Sequence, residues 1–263
     1  GIDELQQALA DADFVLLGEN HDNPAHHQLQ TRIIASLPWQ GTAVAGFEQI
    51  NSDQAAALET WLQAAPEGTS GLAAALDWEQ SGWPDWALYQ PVFAAVLARG
   101  WRPLDLMFPA ATVRAVFGGG LEAALGADVI EQLQTDSLFS REQRLDMQAL
   151  MADSHCGRMP SEHLAAMVDV QIARDAYMAW RLASTGRRAV VITGNGHARH
   201  DWGVPLFLRR LQPEAKVVSI AMTEIPAAYA TAQPAWSDYT IFTPAHDRGD
   251  PCAGIQPGPG LAP

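Results

Sequence analysis

Two stretches of this chain close an apolar run in the same way. "FVLLGENH" and "AVVITGNGH" each carry a continuous hydrophobic segment into a glycine, and each places a histidine three residues later, at Gly18–His21 and Gly194–His197. A short unbroken apolar run reads as a strand buried on both faces, and such strands belong to parallel sheets covered by helices on both sides. The same reading applies to residues 43–49, 101–107 and 216–224, with 238–243 as an edge strand. Helical patterns fill the intervals. Pro24 suits the first position of a helix carrying Leu29, Ile33, Ile34 and Leu37. Residues 51–65 form a helix capped by Asn51 or Ser52. Residues 84–100 form another, kinked or divided at Pro91. "GVPLFLRRL" is a short helix. From Ala110 to about Ser184 the pattern is helical almost throughout, with a Ser140 cap and Glu142 close behind, then a long helix opening at Pro160 and Ser161. The expected fold is therefore α/β: a mostly parallel sheet covered by helices, with an inserted helical subdomain. The expected organisation is a single α/β domain over 1–243, including a helical insert at about 110–186, and an irregular Pro/Gly-rich tail at 244–263.

Charge narrows the partners. The 263 residues carry a net charge of -14, and Lys216 is the sole lysine. Such a surface repels phosphate backbones and anionic head groups, so nucleic acid is excluded as a partner and a broad lipid contact is disfavoured. Apolar content of 48% is that of a globular chain with a real core. No apolar run reaches the length of a membrane span. The chain opens at Gly1 without an initiator Met, the expectation for a mature or trimmed form. Cys156 and Cys252 are far apart, and one disulfide or two free thiols are equally allowed.

The strand ends share a chemistry. The first delivers Gly18, Glu19, Asn20 and His21; the second delivers Glu48; the third delivers Asp105; the fourth delivers Gly194, Asn195 and His197, with His200 close behind. Ligands of open α/β sheets bind beyond the carboxyl ends of the strands. Two imidazoles and a carboxylate there suit a transition metal held by His21, Glu48 and His197, or a general base whose tautomer a carboxylate fixes. The alternative is that these side chains only hydrogen-bond loops at the sheet edge. His26 and His27 are adjacent on a helix and cannot share a face, so one is expected toward the pocket and the other in solvent. His155, His163 and His246 read first as structural or exposed residues, although "HC" at 155–156 is also a soft ligand pair. Trp78, Trp83, Trp86 and Tyr89 read either as a core cluster or as an aromatic wall for a flat apolar ligand, with Tyr89 or Tyr177 able to ligate iron. A P-loop, a complete dinucleotide fingerprint and a serine-hydrolase elbow are all missing.

Together "LLGENHDNPAHH", "GFEQ", "DWEQSGWPDW", "HCGRMP", "MVDVQIARDAYMAW" and "ITGNGHARHDWGVP" resemble the ChaN-like haem-binding uptake family, grouped with Tiki and TraB proteins and erythromycin esterases. The resemblance runs from about Asp13 to Leu208. It implies haem as ligand, a role in iron uptake, and a cell-envelope location as a periplasmic or outer-membrane-associated lipoprotein, with a homodimer and a haem-transport partner as expected assemblies. By motif position Glu19, His21, Glu48 and His197 occupy the superfamily's polar centre, where relatives hydrolyse substrates by metal or by general base. A metal-dependent hydrolase is therefore the alternative function, with a divalent metal as its cofactor. The expected haem-binding residues are Tyr89, Tyr177, His155, His21, Trp83 and Trp86, and the resemblance does not choose among them. One departure stands out: where the family often has Asn-x-Pro-Arg after the third strand, this chain has Met107-Phe108-Pro109-Ala110, so Arg114 or Arg199 must replace that arginine, or none does.

Overall fold

A computed structural model describes residues 2–133, 138–225 and 236–249. Its sheet has six strands, β1 (Phe14–Glu19), β2 (Val44–Asn51), β3 (Arg102–Met107), β4 (Ala189–Gly194), β5 (Val217–Ile225) and β6 (Tyr239–Pro244). Their order is β3-β2-β4-β1-β5-β6. Every pairing is parallel, including that of the edge strand β6. The fold is α/β, as the apolar runs predict.

All six residues of β1 and all six of β4 are buried, which is why neither strand alternates in sequence. Val15, Leu17, Ala45, Phe47, Val190 and Ile192 join one core with Ile34, Val92 and Phe93 of the helices Pro24–Ser36 and Trp86–Ala98. The rings of Phe47 and Phe93 stack 3.9 Å apart. Each such side chain contributes about 2 kcal/mol by leaving water. Residues of the opposite parity, Phe14, Leu16 and Val191, are equally buried, and the helix Val204–Leu211 packs on β5.

Local details depart from the sequence reading in instructive ways. A helix at Ile2–Asp11 precedes β1, outside the elements read from the sequence; Leu5, Ala8 and Leu9 seat it on the core. β2 runs on to Asn51, which caps a single 3-10 turn, Ser52–Gln54, through a reciprocal box with Gln54. The helix proper is Ala55–Gln63. Pro91 lies inside the undivided helix Trp86–Ala98, whose cap is Asp85. Ser140 caps the helix Arg141–Ser154 as expected, but its box partner is Gln143 rather than Glu142.

Packing divides the chain into two compact units, Gly1–Met107 with Met178–His246, and Phe108–Tyr177 with Asp247–Pro263. The helical stretch thus belongs to its own unit from 108 to 177. The last residues of the helix Ser161–Ala183 belong to the α/β unit instead, where Arg181 Nη2 donates to Asp105 Oδ1 at 2.6 Å. Residues 245–249 have no regular structure, and the rest of the expected tail, with Cys252, lies outside the described residues. Among the described residues no cysteine is free.

Asp105 is buried and its arginine partner is three-quarters covered. Asp105→Ala should therefore cost about 1–3 kcal/mol in urea unfolding. Arg102→Ala, which breaks an exposed pair with Glu59, should cost under about 1 kcal/mol. Equal losses would show that the β3–helix contact is held by packing alone.

Candidate functional site

The strand order sets β2, β4 and β1 side by side, so Glu48, His197 and His21 emerge from adjacent strands at one carboxyl edge. The two Gly-x-x-His turns interlock there. A Cβ on Gly18 would lie 2.6 Å from Asn195 Oδ1 and 2.9 Å from Ala198 Cβ, both in the second turn. A Cβ on Gly194 would lie 2.9 Å from His21 Nε2, in the first. Each glycine is therefore required by close approach of the other turn.

Glu48 sits on the floor of this edge, 5% exposed. Its Oε2 accepts from Thr193 Oγ1 and from the Gly194 amide, both at 2.7 Å. Its Oε1 faces His197 Nε2 at 3.5 Å and His21 Nε2 at 3.9 Å. Burial would raise the Glu48 pKa, but the His197 and His21 charges, with the hydrogen bonds from His197 and the Gly194 amide, outweigh it and hold the carboxyl well below the usual carboxylate range.

Glu19 is a second buried carboxylate, and donors surround it. Oε1 accepts from Tyr89 Oη at 2.7 Å, His21 Nδ1 at 2.9 Å and Gln49 Nε2 at 3.2 Å; Oε2 accepts from Gln30 Nε2 at 2.5 Å. The bond from His21 fixes its tautomer: Nδ1 carries hydrogen toward Glu19, and Nε2 turns toward Glu48. Burial lowers the His21 pKa, but the Glu48 charge and the hydrogen bond and charge of Glu19 overcome that and raise it above the ordinary value. His21 is the half-buried member of the set, and the edge of Trp83 closes one side, ring centroids 4.9 Å apart.

The structure thus brings Glu19, His21, Glu48 and His197 into one cluster. It does not make a metal site of it. Among the described residues no group of three or more His, Cys, Asp or Glu side chains is placed to hold a metal ion. Glu48 Oε2 is already taken by Thr193 and Gly194, and Glu19 by Tyr89, Gln49, Gln30 and His21. The expected metal triad of His21, Glu48 and His197 is corrected accordingly.

Tyr89 is corrected as a haem ligand. It is fully buried, its hydroxyl is donated to Glu19, and burial together with the Glu19 charge drives its pKa well upward, so no phenolate is offered. Trp86 is corrected as a ligand wall: it packs on Trp78 and Phe93 at 5.0 and 5.1 Å, inside the core's edge. Neither His26 nor His27 is solvated. His26 Nδ1 accepts from the Asn20 amide at 2.8 Å while Nε2 meets Thr243 Oγ1 at 2.8 Å, and His27 Nε2 donates to the His21 carbonyl at 3.0 Å. Arg199 does not replace the missing family arginine. It is bound to Asp201 through two nitrogens and lies over Trp202 at 3.8 Å. Arg114 is exposed on the helix Ala110–Gly119.

In the helical unit, Tyr177 is half-buried with its ring edge-on to Phe108 at 5.6 Å. His155 Nδ1 donates to the Met151 carbonyl at 2.8 Å, and exposed His163 stands edge-on to Phe117 at 5.9 Å. The residues that sequence reasoning missed are Gln30, Gln49 and Thr193. Only Gln49, adjacent to Glu48 at a strand end, carried a visible signal.

Gly18→Ala should cost about 1–3 kcal/mol by overpacking the second turn, read as a lowered denaturation midpoint. The charges predict a pH signature. Glu48, depressed in the folded state, stabilises above its unfolded value near 4.5, and this is lost as pH falls. His21, raised in the folded state, stabilises below its unfolded value near 6.5, and this is lost as pH climbs through the folded one. Glu48→Gln should therefore lose most stability, about 1–3 kcal/mol, between pH 4.5 and 6.5, with the gap to wild type narrowing on either side. A gap independent of pH would show that Glu48 acts through its neutral hydrogen bonds only.

Comparison with known proteins places the fold. No curated protein sequence matches the chain. A solved structure described as cofacial heme binding to ChaN of Campylobacter jejuni is similar over 91% of each chain, with a TM-score of 0.73 at 19% identity. The type III effector HopBA1 is similar over 93% of this chain and 94% of its own, with a TM-score of 0.50 at 16% identity. Likenesses at such identities establish the fold alone. The family model described as haem-binding uptake, Tiki superfamily, ChaN matches residues 5–208, well over half of the chain. The protein belongs to the ChaN haem-binding uptake family of the Tiki superfamily.

Proposed function

We propose that this protein binds haem, as its part in the acquisition of haem or iron. The observation that carries the reading is the family match over 5–208. The residues present fit such a group. A porphyrin needs exposed apolar surface and a nitrogen or oxygen donor for its iron, and the helical unit supplies both. Phe117 is 42% exposed, Leu145 52% and Leu150 41%, large values for apolar side chains. His155, His163 and Tyr177 are donors in the same unit.

The reading brings further proposals from the family resemblance: reversible capture through His or Tyr, release to a haem-transport partner, a homodimer, and an envelope location as a periplasmic or outer-membrane-associated lipoprotein. The state of Cys156, which is disulfide-bonded, fits the oxidising envelope. One observation favours a second reading. His21, held by Glu19 through one nitrogen and facing Glu48 with the other, has the arrangement of a general acid–base. It would act in hydrolysis without a metal.

Titration of the purified protein with hemin, followed at the Soret band, tests the first reading. Saturable binding near one haem per chain at about 1 μM or tighter, about 8 kcal/mol, is expected. A titration without saturation overturns it. His21→Ala should leave that binding intact under this reading, and should abolish hydrolysis of any ester the wild type turns over under the second.

A further inference from the structure

We infer that His27 is a buried imidazolium paired with Glu19, and that through Glu19 it is a positioning residue for the proton of His21; this rests on the acid–base reading above. His27 is 2% exposed. Its Nε2 lies 3.0 Å from the His21 carbonyl oxygen, which can only accept, so Nε2 carries a hydrogen. Its Nδ1 lies 3.4 Å from Glu19 Oε2 and has no other polar partner. In a neutral ring that nitrogen would hold a lone pair, set against the lone pairs of a buried carboxylate. Two acceptors facing each other out of water are unsatisfied on both sides. A hydrogen on Nδ1 turns the same contact into an ion pair. The alternative place for that hydrogen is Glu19 itself, and its surroundings oppose it. Tyr89, His21 and Gln49 donate to Oε1, and Gln30 donates to Oε2. Donated hydrogen bonds stabilise a carboxylate and not the acid.

The helix Pro24–Ser36 places the ring. His27 and Gln30 stand three residues apart and share a face, and both reach Glu19 Oε2. Tyr89 of the helix Trp86–Ala98 meets the His27 ring edge-on at 4.4 Å while its hydroxyl takes Oε1. Arg32 lines the same outer groove as His27 but is exposed. The helix N-terminus just before His27 opposes a cation, with about half a unit charge against the full charge of Glu19.

The charges at the sheet edge then balance. Glu19 and Glu48 are both buried, and their ion pairs are with histidines. Glu48 faces His197 Nε2 at 3.5 Å and His21 Nε2 at 3.9 Å. Glu19 faces His21 Nδ1 at 2.9 Å and His27 Nδ1 at 3.4 Å. With His197 serving Glu48 and His27 serving Glu19, the charge of His21 is free to come and go. An acid–base histidine requires this: Glu19 orients its ring through Nδ1 without demanding a permanent imidazolium there.

The full chain, with isotopically labelled histidine, is read by NMR near neutral pH. Both ring nitrogens of His27 should report as protonated, with His27→Gln identifying its signals by their loss. Gln keeps an amide able to donate to the His21 carbonyl but brings no charge. In this variant the titration midpoint of His21 should rise by about one unit, because a neighbouring positive charge is gone and Glu19 turns to His21 for its cation. The acid limb of kcat/KM for p-nitrophenyl acetate should rise with it. A residue that only packs would move neither. A single protonated nitrogen on wild-type His27, at Nε2, overturns the inference and needs no variant to fold. An unmoved His21 midpoint in folded His27→Gln overturns it as well. A wild type that leaves the ester intact, with both spectra as expected, overturns the acid–base reading and leaves the pairing standing.

Discussion

The close approach of two glycine turns organises the α/β unit. Gly18 leaves room for Asn195 and Ala198, and Gly194 leaves room for His21. Neither glycine has a positive φ, so it is the missing side chain and not backbone freedom that the fold uses. Because β1 and β4 are neighbours in register, Glu19 opposite Gly194, the turns that leave them meet at one level. An extra methyl group on either would separate them. Once they meet, the Gly194 amide is aimed at Glu48 Oε2, and His21 is lodged between Glu48 and Glu19. The polar cluster is thus a consequence of strand order and two absent Cβ atoms.

That packing explains how two carboxylates share a buried edge. Buried polar groups left without hydrogen-bond partners are costly. Each is instead given its own set of partners: two imidazoles, a hydroxyl and an amide for Glu48; a phenol, two carboxamides and one imidazole nitrogen for Glu19. His21 is the group common to both, and its two nitrogens divide between them. Tyr89, one of several candidate iron ligands in the sequence, is used here as a hydrogen-bond donor, and removing it would leave a buried carboxylate short of one partner.

What the sequence disclosed follows from range. Strands buried on both faces write themselves as unbroken apolar runs, and the Gly-x-x-His turns are local, so β1, β4 and the participation of His21 and His197 were legible. Glu48 was legible for the same reason, as a carboxylate ending an apolar strand. The roles of Gln30, Gln49 and Thr193 were not, since a carboxamide on a helix and one on a strand carry no mark of the carboxylate they will meet across the sheet. Burial misled in both directions. His26 and His27 cannot share a helix face, and yet both are buried, because the two faces meet different neighbours, Thr243 on one side and the His21 carbonyl on the other. Tyr89 and Trp86 recur at helical spacing, which fits a ligand wall and a core cluster equally; the stacking of Phe47 on Phe93 beside them decides for the core. The helix Ile2–Asp11 was readable from Leu5, Ala8 and Leu9, and its short apolar stripe shows how little signal a ten-residue helix carries.

The histidines show how one side chain type is turned to different work by the atom placed against Nδ1. An amide N–H from Asn20 makes Nδ1 of His26 an acceptor and forces hydrogen onto Nε2, which Thr243 then occupies; both nitrogens are consumed, and the residue ties a helix to β6. A carboxylate against Nδ1 of His21 does the opposite and sends Nε2 toward a second carboxylate, which favours a held proton. A backbone carbonyl against Nδ1 of His155 also sends hydrogen to Nδ1, but without a net charge. The difference is one of charge: at the carboxyl edge of the sheet the partners of the imidazole are carboxylates, and at the end of the helix Arg141–Ser154 the partner is a neutral carbonyl.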